Sequence, residues 1–237
     1  TQDDFTYSAQ QLINFFSEHP VDTLVLINPD NPSGYYMEQS EIATLLQWCK
    51  EENKNLIVDE SFLDFADIEN ASLLSEGVLN ESPNLYVVKS ISKSYGVPGL
   101  RLGILASGNA DMIGCLKKRA SIWNINSMAE FFMQILDKYK ADYKKSLREI
   151  KAERKLFFKS LSRIKSLKVY PSQANYFMCE LLDGHTSKEL AGKLLKKNVL
   201  IKDLTGKIKN GRQYIRIAIR TNTENKQLVE ILKEELQ

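Results

Sequence analysis

Histidine and cysteine are scarce in this chain. Its 237 residues include two histidines, His19 and His185, far apart in sequence. A multi-histidine metal centre or a Ser/His/Asp triad would therefore rest on a single imidazole, and no metal site is expected. The three cysteines, Cys49, Cys115 and Cys179, are odd in number and widely spaced. That excludes a zinc knuckle or a disulfide framework and suits a reduced, intracellular chain. An excess of one charge is missing too. The 32 Lys and Arg against 30 Asp and Glu leave a net charge of +2, no basis for a dedicated nucleic-acid binder. No apolar run approaches the roughly 20 residues of a membrane span, and the opening Thr1-Gln-Asp-Asp4 is too polar for a signal peptide. A cytoplasmic protein without a membrane partner is expected. There is no internal repeat or low-complexity tract, and the absence of an initiating Met reads as a piece cut from a longer chain.

What is present is ordinary globular composition, 43% hydrophobic and 26% charged. Runs at 23–27, 55–59, 85–88 and 102–106 read as strands, and the helical spacing of Ile42, Leu45, Leu46 and Cys49 lies between the first two. Strands alternating with helices predict an α/β fold with right-handed crossovers and a mostly parallel sheet. From Met128 to Ile164 apolar residues recur at three-, four- or seven-residue steps among many charges. A continuous helix of that length would reach roughly 55 Å, so a bend or a bridge between two units is expected. In it Phe131, Phe132, Phe157 and Phe158 read as packing residues, and the basic stretch 138–168 as a solvated helix face. With a boundary near residue 148, residues 1–148 form a large domain and 149–237 a smaller α/β domain. The latter has strands at 167–170, 174–181, 199–202 and 214–219 and helices at 187–197 and 224–236.

In an open parallel sheet, ligands bind beyond the carboxyl ends of the strands. Here those ends are followed by Asn28 and Asn31, by Asp59 and Glu60, and by Ser90, Ser92 and Lys93. Lys93 lies in Ser90-Ile-Ser-Lys-Ser-Tyr-Gly-Val-Pro-Gly-Leu-Arg-Leu-Gly103, where three glycines and a proline surround one amine, nearby hydroxyls and Arg101. An amine near other cations or in a dry pocket can condense with an aldehyde. Ser90 and Arg101 offer a hydroxyl and a bidentate fork suited to phosphate. The glycine spacing matches neither a dinucleotide fingerprint nor a nucleotide P-loop. Pyridoxal phosphate combines an aldehyde, a phosphate and a ring nitrogen that a carboxylate keeps protonated, and Asp59 ends an apolar strand where such a carboxylate is needed. Period two places Arg216 and Arg220 on one face of the strand at 215–221, able to receive a carboxylate and a second anion.

Three segments, Asn28-Pro-Asp-Asn-Pro-Ser-Gly34, Asp59-Glu-Ser-Phe-Leu-Asp-Phe65 and the glycine-rich segment around Lys93, resemble in order and spacing the class I/II pyridoxal-phosphate aminotransferases. The resemblance implies a fold type I architecture and a homodimer. It implies Lys93 as the Schiff-base lysine, Asp59 as the pyridinium partner and Asn31 as donor to the ring oxygen. Ser90 and Arg101 would hold the cofactor phosphate, Ser92 counts among the cofactor-binding residues, and Phe62 stands where many relatives carry a tyrosine touching the ring oxygen. Within the family, Trp123-Asn-Ile-Asn126, Ala174-Asn-Tyr-Phe177, Ile201-Lys-Asp203 and Ile215-Arg-Ile-Ala-Ile-Arg-Thr221 resemble the histidinol-phosphate aminotransferase and threonine-phosphate decarboxylase branch. They also resemble aminotransferase domains fused behind a nucleotidyltransferase. By that likeness Arg216 holds the substrate carboxylate with support from Asn175, and Lys202 and Arg220 are candidates for a phosphate or phosphonate tail.

The reading that follows is a transaminase taking an amino donor and a 2-oxo acid. A decarboxylase of a phosphorylated amino acid is the alternative, because Phe62 lacks the hydroxyl. A third reading is a catalytically incomplete fragment or binding module, since the resemblance implies a helix-N-terminal phosphate loop and a stacking aromatic upstream of Asn28, and neither fits into residues 1–27.

Overall fold

The computed structural model describes residues 4–236. In chain order the elements are α1 (Ala9–Glu18), β1 (Thr23–Ile27), α2 (Gln39–Glu51), β2 (Asn55–Asp59), α3 (Glu76–Glu81), β3 (Leu85–Ser90), α4 (Ile91–Ser94), β4 (Gly103–Ala106), α5 (Ala110–Arg119), α6 (Ser127–Ile135), α7 (Lys140–Leu161), β5 (Leu167–Val169), β6 (Tyr176–Leu181), α8 (Ser187–Lys196), β7 (Lys202–Asp203), β8 (Gln213–Ala218) and α9 (Asn222–Glu235). The chain divides into two compact units. The first holds the residues up to Pro29 together with Tyr36–Lys145, and the second holds Asp30–Tyr35 and the residues from Ser146 onward.

The first unit is built on a four-stranded sheet in the order β1-β2-β3-β4. Parallel registers align Leu24, Leu56 and Leu85 in one row and Leu26, Val58 and Val87 in the next. All six are buried, as are Ile42, Leu45 and Cys49 on α2. The apolar stripe of α2 thus finds its partner in this unit's core. The next register row, Ile27, Asp59 and Val88, brings the carboxyl ends of three strands to one edge. β4 runs antiparallel to β3, because the link between them is only α4 and a short 3-10 turn at Pro98–Leu100, too short for a helical crossover.

The second unit is an antiparallel sheet in the order β5-β6-β8-β7. Every residue of β6 is buried. Its Phe177, Cys179 and Leu181 share a core with Phe157 and Leu161 of α7, Leu190 and Leu194 of α8, and Val229 and Leu232 of α9. Capping is explicit in the sequence: Ser8 closes a capping box with Gln11 on α1, and Thr221 closes one with Glu224 on α9.

The long apolar repeat from Met128 onward is not one helix. α6 ends at Ile135, a 3-10 turn covers Leu136–Tyr139, and α7 begins at Lys140. Of its four phenylalanines Phe157 is buried, whereas Phe131 is 57% exposed. Strand 7 also departs from expectation: pairing with β8 begins only at Lys202, so residues 199–201 lie outside the ladder.

Candidate functional site

The carboxyl edge of the first sheet gathers the residues expected around a cofactor. Asp59 is the last residue of β2 and is half-buried. Its Oδ1 accepts a hydrogen bond from the Ser61 amide at 2.8 Å, and Ser61 Oγ accepts from the Ser90 amide at 2.9 Å. Ser61, which the sequence reading passed over, thereby ties the end of β2 to the end of β3. Ser90 caps α4 without spending its hydroxyl on the helix. Ser92 is buried and Lys93 is exposed on the same short helix. The Lys93 Nζ sits 3.9 Å from the centre of the buried Phe62 ring, a cation–π contact. Arg101 adopts φ 56°, ψ 41°, in the left-handed region that a side chain rarely enters, and its Nη1 donates to the Pro98 carbonyl at 3.1 Å.

The remaining candidates belong to the second unit. Asn31 is among them: the sequence groups it with residues 1–148, but the segment 30–35 is held to β6 and β8. Tyr176 donates from its hydroxyl to the Asp30 carbonyl at 2.7 Å, the Gln173 amide donates to the Gly34 carbonyl at 2.8 Å, and Arg216 Nη1 donates to Asn31 Oδ1 at 2.6 Å. A guanidinium has no acceptor, so this contact fixes the amide and leaves the Asn31 NH2 as a donor. Arg216 also lies 4.8 Å from the centre of the Tyr176 ring. Tyr176 is a second residue the sequence reading missed, although it stands within the quoted Ala174–Phe177 motif.

Lys202 and Arg216 are direct partners across β7 and β8, which puts both cations on one face of the sheet. Asn175 is half-buried just before β6, its carbonyl accepting from the Ile219 amide at 2.9 Å. Arg220 is not where period two placed it. β8 ends at Ala218, so Arg220 leaves the strand face and pairs with Glu224 at 2.8 Å, with 67% of its side chain exposed. The cause is local: Glu224 is the capping-box residue of α9 and draws the guanidinium onto the helix start.

The sequence matches the family described as aminotransferase class I and II over residues 1–232. The chain belongs to that family. Enzymes of this family are pyridoxal-phosphate-dependent. The L-serine phosphate decarboxylase of Campylobacter jejuni is 36% identical over 243 residues, covering 98% of this chain and 62% of the relative. A decarboxylase from Sulfurospirillum multivorans has a structure with TM-score 0.89 and 31% identity, covering 100% of this chain and 68% of that one. The histidinol-phosphate aminotransferase of Clostridium acetobutylicum has TM-score 0.89 and 26% identity, with 99% and 69% covered. The fold is that of the fold type I enzymes. Against the curated relatives named for a full activity, the chain spans from 37% to 62% of their length.

The donor set fits the family's cofactor: an amine for the aldehyde, a carboxylate at a strand end, and hydroxyls with a guanidinium on the segment that follows β3. Among the described residues no His, Cys, Asp and Glu cluster could hold a metal ion, and no helix is long and apolar enough to cross a membrane.

Proposed function

We propose that this chain serves a pyridoxal-phosphate-dependent enzyme that decarboxylates a phosphate-bearing amino acid. The observation that carries the substrate class is the Lys202–Arg216 pair. Like charges directly opposite in an antiparallel ladder repel, and an anion bound over the pair would relieve that repulsion. Arg216 spends one N–H on Asn31 and keeps the others for a carboxylate, and Lys202 offers a point charge to a phosphate. Asn175 backs the carboxylate from the start of β6. Arg220 is engaged by Glu224 and has no part in this reading.

When bound, pyridoxal phosphate supplies an aldehyde that takes up an amine and a protonated ring that draws electrons from the α-carbon. Lys93 would provide the amine that holds the cofactor and would serve as the proton carrier for the substrate. Asp59 keeps the ring nitrogen protonated, and its bond from the Ser61 amide holds the carboxylate at the end of β2. By the family resemblance Asn31 would be the donor to the ring oxygen. Ser90, Ser92 and Arg101 hold the phosphate. Phe62 gives the Lys93 amine an aromatic face but no hydroxyl.

The names of two relatives, L-serine phosphate decarboxylase in Campylobacter jejuni and a decarboxylase in Sulfurospirillum multivorans, support decarboxylation over transamination. A second reading, transamination between an amino donor and a 2-oxo acid, is supported by the TM-score of 0.89 to a histidinol-phosphate aminotransferase. A homodimer is the expected assembly for either. Incubating the protein and cofactor with O-phospho-L-serine or O-phospho-L-threonine separates them. Carbon dioxide released without 2-oxoglutarate consumption is the expected result, and oxo-acid consumption without carbon dioxide overturns it. Equal turnover of unphosphorylated serine would remove the phosphate from the proposal.

A further inference from the structure

The first unit contains a buried polar cluster that the reading above does not use. Asp64 lies on the 3-10 turn Leu63–Phe65, directly after Phe62 and Leu63. Its Oδ1 accepts from Lys89 Nζ at 2.6 Å, with side-chain exposures of 19% for Asp64 and 13% for Lys89. Lys89 is the residue before Ser90 on β3. The other carboxylate oxygen, Oδ2, is buried, as are Ser94 Oγ and the Tyr143 hydroxyl, and none of the three makes a hydrogen bond of good geometry. The two hydroxyls nonetheless stand close enough to Asp64 to favour its charged form. The next residue along, Tyr95, stacks on Tyr143 with ring centres 4.0 Å apart and planes at 1°. Tyr95 also meets Phe132 edge-on at 6.3 Å.

The Asp64 carboxylate therefore pairs with Lys89, two residues before α4, and stands near the last residue of α4 and the first turn of α7, while sitting two positions from Phe62. A four-residue helix has little stability of its own, so its place depends on such side-chain ties. Lys93 is the penultimate residue of that helix.

We propose that Asp64 is a positioning residue for Lys93: through Lys89, Ser94 and Tyr143 it fixes α4 so that the Lys93 amine is held over the Phe62 ring. The functional weight of the inference rests on the role proposed for Lys93, but the geometric claim stands apart from it. Asp64 touches neither substrate nor cofactor in this account. It sets where the amine is, not what the amine does.

The test uses the complete chain and two readouts. In the cofactor-free protein, acylation of Lys93 by a limiting amine-reactive ester is followed by peptide mass mapping, with the exposed Lys226 as internal reference. In the presence of pyridoxal phosphate, the rate at which the lysine-linked absorbance appears is recorded. Asp64→Asn should change the Lys93 to Lys226 labelling ratio at least threefold and slow cofactor capture at least fivefold, and Asp64→Glu should restore both in part. Ser94→Ala and Tyr143→Phe, which remove one hydroxyl each and keep the Tyr95 stack, should move the ratio in the same direction and serve if Asp64→Asn does not fold. A labelling ratio within error of wild type in the folded variants overturns the proposal. If the wild-type chain captures no cofactor at Lys93, the functional reading fails, and the labelling ratio still decides the positioning claim.

Discussion

The amine nitrogen of Lys93 rests 3.9 Å from the centre of the Phe62 ring, and the ring is itself 6% exposed. A contact of this kind at an exposed amine contributes about 0.5–1 kcal/mol, which corresponds to a few-fold in a rate or equilibrium. Phe62→Leu should therefore change the rate of cofactor capture at Lys93 about two- to fivefold, while Phe62→Tyr keeps the aromatic face and the wild-type rate. Stopped-flow absorbance on mixing with pyridoxal phosphate measures this. Identical rates for the leucine and tyrosine variants would show that the ring face is irrelevant to the amine.

Arg101 combines a left-handed backbone with a proposed phosphate contact. Holding a side chain there costs about 1–2 kcal/mol, which glycine avoids. Arg101→Gly and Arg101→Ala both delete the guanidinium, so both should bind pyridoxal phosphate about 10- to 100-fold more weakly, the range for a lost charged hydrogen bond. They should differ in stability, with the glycine variant about 1 kcal/mol above the alanine variant in urea unfolding. A more stable alanine variant would refute the strain.

Gly34 turns the 30–35 segment with φ +77°, and a Cβ there would lie 2.0 Å from Ser172 Oγ. Gly34→Ala should cost about 1–3 kcal/mol from backbone strain alone. Pairing it with Ser172→Gly should recover the steric part and leave the strain. Thermal melts of the two variants side by side provide the comparison, and equal melting temperatures would mean that the clash contributes nothing.

Much of this arrangement is legible in the residue order, and the exceptions have physical reasons. The strands at 23–27, 55–59 and 85–88 declare themselves through β-branched and apolar runs, and their ends announce Asp59, Ser90 and Lys93 because chemistry in such sheets collects there. What alternation cannot register is where a ladder stops. β8 ends two residues before Arg220, whose backbone N–H and C=O are both bonded to the Asn225 side chain of α9. The break at Leu136–Tyr139 is equally invisible, since its apolar spacing matches the helices on either side. Asp64 and Lys89 are 25 residues apart, and no periodicity links a 3-10 turn to a strand. The one available signal is Lys89 itself, a cation inside an apolar strand, where a buried partner is required. Trp123, which opens the quoted Trp123–Asn126 segment, is 88% exposed.

The Asp64–Lys89 pair sets a pH dependence with a definite sign. Burial opposes ionisation of Asp64, but the hydrogen bond and charge of Lys89, together with the nearby Ser94 and Tyr143 hydroxyls, hold the carboxyl below its ordinary value. Such a group contributes its full stability above its unfolded value, roughly pH 4, and loses it as pH falls through the folded value. Asp64→Asn should cost about 3 kcal/mol near neutrality. The gap between wild type and variant should narrow below about pH 4. Melting temperatures from pH 7 downward test this; a gap that stays constant would place the stabilising charge elsewhere.

The cysteines make a simpler case. Cys115 is exposed, whereas Cys49 and Cys179 are buried. Burial pushes the Cys49 thiol up to about 11, with Lys54 opposing, and burial also raises Cys179. At pH 8 a thiol reagent should modify Cys115 quickly and the other two only after denaturant is added. Fast reaction of all three would mean that both cores open readily.

The central claim is that Lys93 is the residue to which pyridoxal phosphate attaches. Mixing the protein with the cofactor, reducing with borohydride and mapping the modified peptide tests it most directly. A reduced pyridoxyl group on Lys93, absent in Lys93→Ala, is the predicted result. Equal incorporation in both proteins, or none in either, would contradict it.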